Sequence, residues 1–173
     1  MSRSIGLFYG STTGNTESVA ELIAKNIGVE RIHRIDIAAD GLDSIAEYSH
    51  LILGIPTWDF GELQEDWSDL WQVLDAADVA GKTCAVFGLG DQIGYGEWFL
   101  DAMGLLHDRM QERGAELVGY WPVEGYDFEA SKALNEDQSK FVGLAIDEDC
   151  QHGETNERVE QWCKQVLIEF GMA

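Results

Sequence analysis

The stretch Leu7 to Ser18, LFYGSTTGNTES, sets two serines, three threonines and an asparagine around two glycines, directly after an apolar run and with no lysine or arginine. A turn of this kind leading into a helix offers unpaired backbone N–H groups and a partial positive dipole, which suit a phosphate. Ser11, Thr12, Thr13, Asn15 and Thr16 add side-chain donors, and Gly14 supplies the turn. The loop is not of the GxxxxGK[ST] type, because Asn15 stands where that motif needs lysine and the glycine spacing differs. It is equipped to hold a phosphate and poorly equipped to transfer one. The plain alternative is a hydroxyl-rich helix cap.

Two further loops carry aromatic chemistry. GIPTWDFGEL, Gly54 to Leu63, projects Trp58 after a buried-type strand, and GLGDQIGYGEWF, Gly88 to Phe99, delivers Tyr95. The second loop is only superficially a dinucleotide fingerprint: its spacing is GxGxxxG and no acidic residue ends the next strand. Two aromatics above one phosphate site suit a flat ring held between them.

These loops need a scaffold that brings them together. Apolar runs alternate with helical patterns along the chain, the signature of parallel strands joined by crossover helices. Strands are predicted near Ser4–Tyr9, Ile32–Ile37, His50–Ile55, Thr83–Phe87 and Glu116–Tyr120, several of them without in/out alternation, as strands covered on both faces should be. Helices are predicted over Gly14–Ile27, along the stripe Trp67, Leu70, Trp71, Leu74, along Phe99, Met103, Leu106, Met110, and from Val159 to Phe170 with Thr155 as N-cap. The stretch Trp121 to Lys140 interrupts the fifth strand before FVGLAI resumes it, and reads as either a functional loop or a tolerated insertion. With no repeat and no linker, residues 1–173 are expected to form one α/β domain. In an open parallel sheet the loops after strands one, three, four and five share the carboxyl edge, where ligands bind.

Eleven basic against thirty-two acidic residues give a formal charge of −21, which argues against nucleic acid and against an anionic membrane surface. Such a charge reads either as a solvated surface or as steering toward a basic protein face. No apolar run is long enough to span a bilayer, and the amino terminus lacks the pattern of a secretory signal. Cys84, Cys150 and Cys163 form no CxxC pair, so a reducing, cytoplasmic setting is expected, and no histidine falls at metal-ligand spacing with them.

The loops GSTTGNT, PTWDFGE and GDQIGY, in this order and spacing, resemble those of flavodoxins, and the interrupted fifth strand followed by GLAIDEDCQ is similar to the long-chain branch of that family. The likeness covers essentially the whole chain. It implies a doubly wound five-stranded parallel sheet of order 2-1-3-4-5 with helices on both faces, one noncovalently held FMN, and electrons carried one at a time by a protein that is not an enzyme. By this likeness Ser11, Thr12, Thr13, Gly14, Asn15 and Thr16 grip the FMN phosphate, and Trp58 and Tyr95 lie on the two faces of the isoalloxazine. Pro56, Thr57, Gly61, Leu89, Gly90 and Asp91 belong to the loops around the ring, Phe60 either shields its edge or is simply a surface aromatic, and Asp149 contacts the ribityl chain. Asp59 matches the residue whose carbonyl turns toward the flavin N5. A Cβ resists positive φ at such a turn, so Asp59→Gly is expected to increase the half-reduced fraction in a redox titration.

The resemblance further implies a monomer that meets basic-faced partners transiently: an NAD(P)H-dependent flavodoxin reductase and acceptor enzymes. Withholding lysine from the phosphate loop then has a purpose. One uncompensated charge at roughly 10 Å, with an effective dielectric of about 20, is worth about 1.7 kcal/mol against an anionic reduced ring. That corresponds to about 70 mV for a one-electron couple, at about 59 mV per tenfold. Two competing readings are an FMN-dependent quinone reductase, which would need an open substrate cavity and a nicotinamide site, and a phospho-accepting receiver domain. The latter requires acids at the ends of strands one and three, where Tyr9-Gly10 and Ile55-Pro56 stand.

Overall fold

The computed structural model describes residues 4–172. In chain order the elements are β1 (Ile5–Tyr9), α1 (Asn15–Ile27), β2 (Ile32–Asp36), α2 (Ile37–Asp40), β3 (His50–Trp58), β4 (Glu62–Leu63), α3 (Glu65–Asp69), α4 (Trp71–Ala76) and β5 (Thr83–Leu89). There follow α5 (Asp101–Glu112), β6 (Glu116–Val118), β7 (Trp121–Pro122), β8 (Lys140–Phe141), β9 (Leu144–Ile146) and α6 (Thr155–Glu169).

The central strands run parallel in the order β2-β1-β3-β5, and the free side of β5 is paired by two segments in turn. β6 lies beside residues 83–85 and β9 beside residues 87–89, so the expected fifth strand exists in two halves. Counting these halves as one position, and setting aside the two-residue antiparallel β4, the order is the expected 2-1-3-4-5. Both faces are covered. Ile5, Leu7, Ile52, Phe87 and Leu144 pack under α1 and α6, while Phe8, Leu51, Leu53 and Val86 pack under α3, α4 and α5. Successive residues of one strand thus feed opposite cores, which is why the strands read as unbroken apolar runs.

Several elements differ from expectation. β3 continues to Trp58, three residues beyond Ile55, because Thr57 and Trp58 gain antiparallel partners in Leu63 and Glu62. The stripe from Trp67 to Leu74 is two short helices, divided at Leu70, whose N–H is shared between the carbonyls of Asp66 and Ser68. Phe99 precedes α5, which starts only after Leu100 in the left-handed region at φ 61°. Thr155 is the first residue of α6 and not its N-cap: a 3-10 turn, His152–Glu154, leads straight into the helix, and the Thr155 hydroxyl is buried without a partner among the described residues.

The stretch from Trp121 to Lys140 is also more ordered than a loop. β7 and β8 pair antiparallel, and Tyr126, Phe128 and Phe141 cluster with Phe99 at centroid distances of 5.1–6.0 Å. Aromatic contacts of this spacing hold a segment that has little backbone pairing of its own.

Candidate functional site

The site forms where the loops following β1, β3, β5 and β9 meet at the carboxyl edge. The first loop leaves the sheet at Gly10, where any Cβ would fall 2.3 Å from the Gln64 side-chain oxygen. Gly14 takes φ 93°, a left-handed turn that suits glycine, and α1 begins at the next residue. The Ser11 hydroxyl oxygen accepts from the N–H groups of Gly14 (3.2 Å), the N-cap residue, and Glu17 (3.3 Å), so this serine takes up one of the free N–H groups of the first helical turn. The Gln64 amide, almost wholly buried, donates to the Thr12 hydroxyl at 3.1 Å and so fixes a member of the first loop from the second.

A cleft of about 310 Å³ opens between these loops. Thr12, Thr13, Asn15 and Thr16 line it from the first, and Pro56, Thr57, Trp58 and Asp59 from the second. Leu89, Gly90, Asp91, Tyr95 and Trp98 line it from the third, and Glu148 and Asp149 from the fourth. No lysine or arginine is among them. Four residues expected at the site do not line the cleft: Ser11 and Gly14 form the turn beneath it, Gly61 is buried against Asp101, and Phe60 stands outside, 66 % exposed. The Phe60 ring meets Trp98 edge-on at 4.9 Å. Trp98 and Glu148 are the two lining residues that sequence reading missed. Their only signals were the position of Trp98 three residues beyond Tyr95 and that of Glu148 just before Asp149.

Several features describe what the cleft can take. The Trp58 indole N–H is buried and has no acceptor among the described residues, a cost that an acceptor on a ligand would remove. Tyr95 is 45 % exposed. The N-terminal turn of α1 opens into the cleft, and the side chains that it and the preceding loop set in the cleft wall, Thr12, Thr13, Asn15 and Thr16, are neutral, which fits a phosphate without a counter-cation; Glu17, in the same turn, is not part of that wall. Thr57, instead of facing the cleft alone, also accepts with its hydroxyl oxygen from the N–H of Ala102 at 3.1 Å, in the first turn of α5.

The electrostatics are one-sided. Burial, and then the charges of Asp91, Asp147 and Glu148, push the Asp149 carboxyl above its ordinary value. Asp91 accepts from the N–H groups of Ile93 (3.1 Å) and Gly94 (2.7 Å), which shapes the loop carrying Tyr95. Asp59 sits in the left-handed region at φ 46°, so the resistance of its Cβ to such a turn is already overcome in this form.

A doubly wound parallel sheet with a cation-free helix start and two aromatics at its carboxyl edge defines a nucleotide-type cofactor-binding protein of the open α/β class. The comparisons narrow this. A family model described as Flavodoxin matches residues 7–162. The chain is 51% identical over 166 residues to flavodoxin 2 of Escherichia coli (strain K12), covering 96% of each chain. It is 48% identical over 172 residues to a flavodoxin of a Nostoc species, covering 99% of this chain and 100% of that one. Among solved structures, the Fusobacterium nucleatum flavodoxin bound to flavin mononucleotide superposes with a TM-score of 0.90 at 30% identity, over 96% of this chain and 98% of the other. The chain belongs to the flavodoxin family.

Proposed function

We propose that the cleft holds FMN noncovalently and that the whole chain works as a single-domain, low-potential, one-electron carrier rather than an enzyme. The observation that carries this is the cleft itself, in which a phosphate-type helix start without cations meets Trp58, with its orphaned indole N–H, and the exposed ring of Tyr95. The family match and the FMN-bound relative support the reading. FMN, when bound, supplies the redox chemistry. The chain's residues do the rest. Thr12, Thr13, Asn15 and Thr16 donate to the phosphate, and Trp58 and Tyr95 orient the ring and exclude water from it. Asp59, Asp91, Glu148 and Asp149 surround it with negative charge, which opposes added electrons and keeps the potential low.

Partners follow from the same surface. Acidic residues ring the cleft, and among the described residues no helix is long and apolar enough to cross a membrane. Short-lived encounters of a monomer with basic-faced proteins, a reductase on one side and acceptor enzymes on the other, fit a carrier whose association is steered by charge. Three unpaired thiols suit a reducing cytoplasm.

The test is direct. Purified protein, or apoprotein mixed with FMN, should be yellow, with flavin fluorescence quenched by the stacked aromatics. A colourless protein that leaves added FMN fluorescence unchanged in titration would remove the proposal.

A further inference from the structure

The loop that carries Tyr95 and the loop that carries Asp149 are joined beneath the cleft at one buried point. Asp147 is 0 % exposed and Gln92 is 3 % exposed. One oxygen of Asp147 accepts from the Gln92 backbone N–H at 2.9 Å and from the Gln92 side-chain amide at 2.8 Å. The other accepts from the N–H groups of Asp149 (3.0 Å) and Cys150 (2.9 Å). Gln92 also accepts from the backbone N–H of Asp127, in the stretch between β7 and β8, at 2.5 Å. A lighter cross-link runs beside this one, from the Cys150 thiol to Asp91 at 3.3 Å.

Four N–H donors on one carboxylate use its lone pairs fully. Such bonds are shorter and stronger than neutral ones, and removing one partner leaves the rest buried and unsatisfied. None of the four belongs to the first loop, and neither Asp147 nor Gln92 lines the cleft. The pair therefore acts on the aromatic and ribityl side of the site and leaves the phosphate turn alone.

We propose that Asp147 and Gln92 are positioning residues that lock the Tyr95 loop to the Asp149 loop and so set the grip on the flavin ring, independently of the phosphate. The proposal rests on the reading of the cleft as an FMN site. It makes a prediction that a change confined to the phosphate turn does not: the ring alone should feel the change as much as the whole cofactor.

The experiment compares apoprotein titrated with FMN and with riboflavin, which lacks the phosphate, for the parent chain, Asp147→Asn, Gln92→Met and the double variant. Asp147→Asn keeps the shape and turns part of the acceptor into a donor. Gln92→Met keeps the side-chain volume and removes both of its polar atoms, which covers the case in which Asp147→Asn fails to fold. Each single variant is expected to weaken FMN and riboflavin by the same factor, on the order of tenfold or more. The visible circular dichroism of bound flavin should change as Tyr95 is released, and the double variant should lose little beyond either single one. Unchanged riboflavin affinity in both variants, or single effects that simply multiply in the double, would overturn the proposal while leaving the cleft's function intact. A parent chain that binds neither flavin would overturn the reading of the cleft itself.

Discussion

Asp101 begins α5, is 2 % exposed, and accepts with one oxygen from the Lys132 N–H at 2.8 Å while the other stands against Gly61, where a Cβ would lie 2.7 Å away. Burial pushes its carboxyl above the ordinary value, against the opposing pull of the Lys132 N–H and the Lys132 charge. A carboxyl that holds its proton more tightly when folded costs stability as pH rises from the unfolded value, near 3.9, through the folded one, and that cost persists above both. Asp101→Asn keeps the acceptor oxygen without the charge. It should therefore melt higher than the parent at neutral pH, with the gain fading at about pH 3.5, below the unfolded value. Thermal melts at the two pH values check this, and an equal gain at both would refute the assignment. At Asp59 it is the backbone that matters. Since it already takes φ 46°, glycine there would relieve cost in this form as well as in the turned one, so the rise in half-reduced fraction on Asp59→Gly should be smaller than a fully unstrained Asp59 would give.

Among the elements, the two-part fifth strand depends on Gly143, where a Cβ would lie 2.2 Å from the Val86 carbonyl oxygen. No side-chain rotation relieves a clash with backbone, so Gly143→Ala must shift β9 away from β5. The expected loss is about 3 kcal/mol or more, which lowers the melting temperature by about 6–12 °C in a chain of this size. A melt within a degree or two of the parent would show that β9 does not depend on that contact. The elements also show what a sequence discloses. The first loop was legible because hydroxyls, glycines and missing lysines are unusual together, and the aromatics because Trp58 and Tyr95 follow buried strands. The division at Leu70 was not, since the stripe Trp67 to Leu74 is unbroken on either side of it. Gln64 and Gln92 were invisible for a different reason: their partners Thr12 and Asp147 lie 52 and 55 residues away, and a buried glutamine looks locally like a surface one.

At the level of the whole molecule, a formal charge of −21 puts like charges close together over a small surface. Self-repulsion of that kind destabilises the compact state, and salt screens it, with a screening length of about 10 Å at 0.1 M. Apoprotein should melt at a higher temperature as sodium chloride is added, while reduction by a basic partner slows under the same conditions. Opposite signs in the two measurements mark charge as the common cause, and a rate indifferent to salt would exclude steering. The outer border of the sheet offers one more consequence. Beyond β5 the backbone is met by two three-residue pieces with an ordered excursion between them, so a stray chain finds no long run of open amides and carbonyls to copy. On the opposite border β2 is only five residues long and carries exposed His33 and Arg34. An electron carrier that meets redox partners is thereby built to resist sticking through its backbone, and crowded solutions of it should stay free of strand-to-strand aggregates.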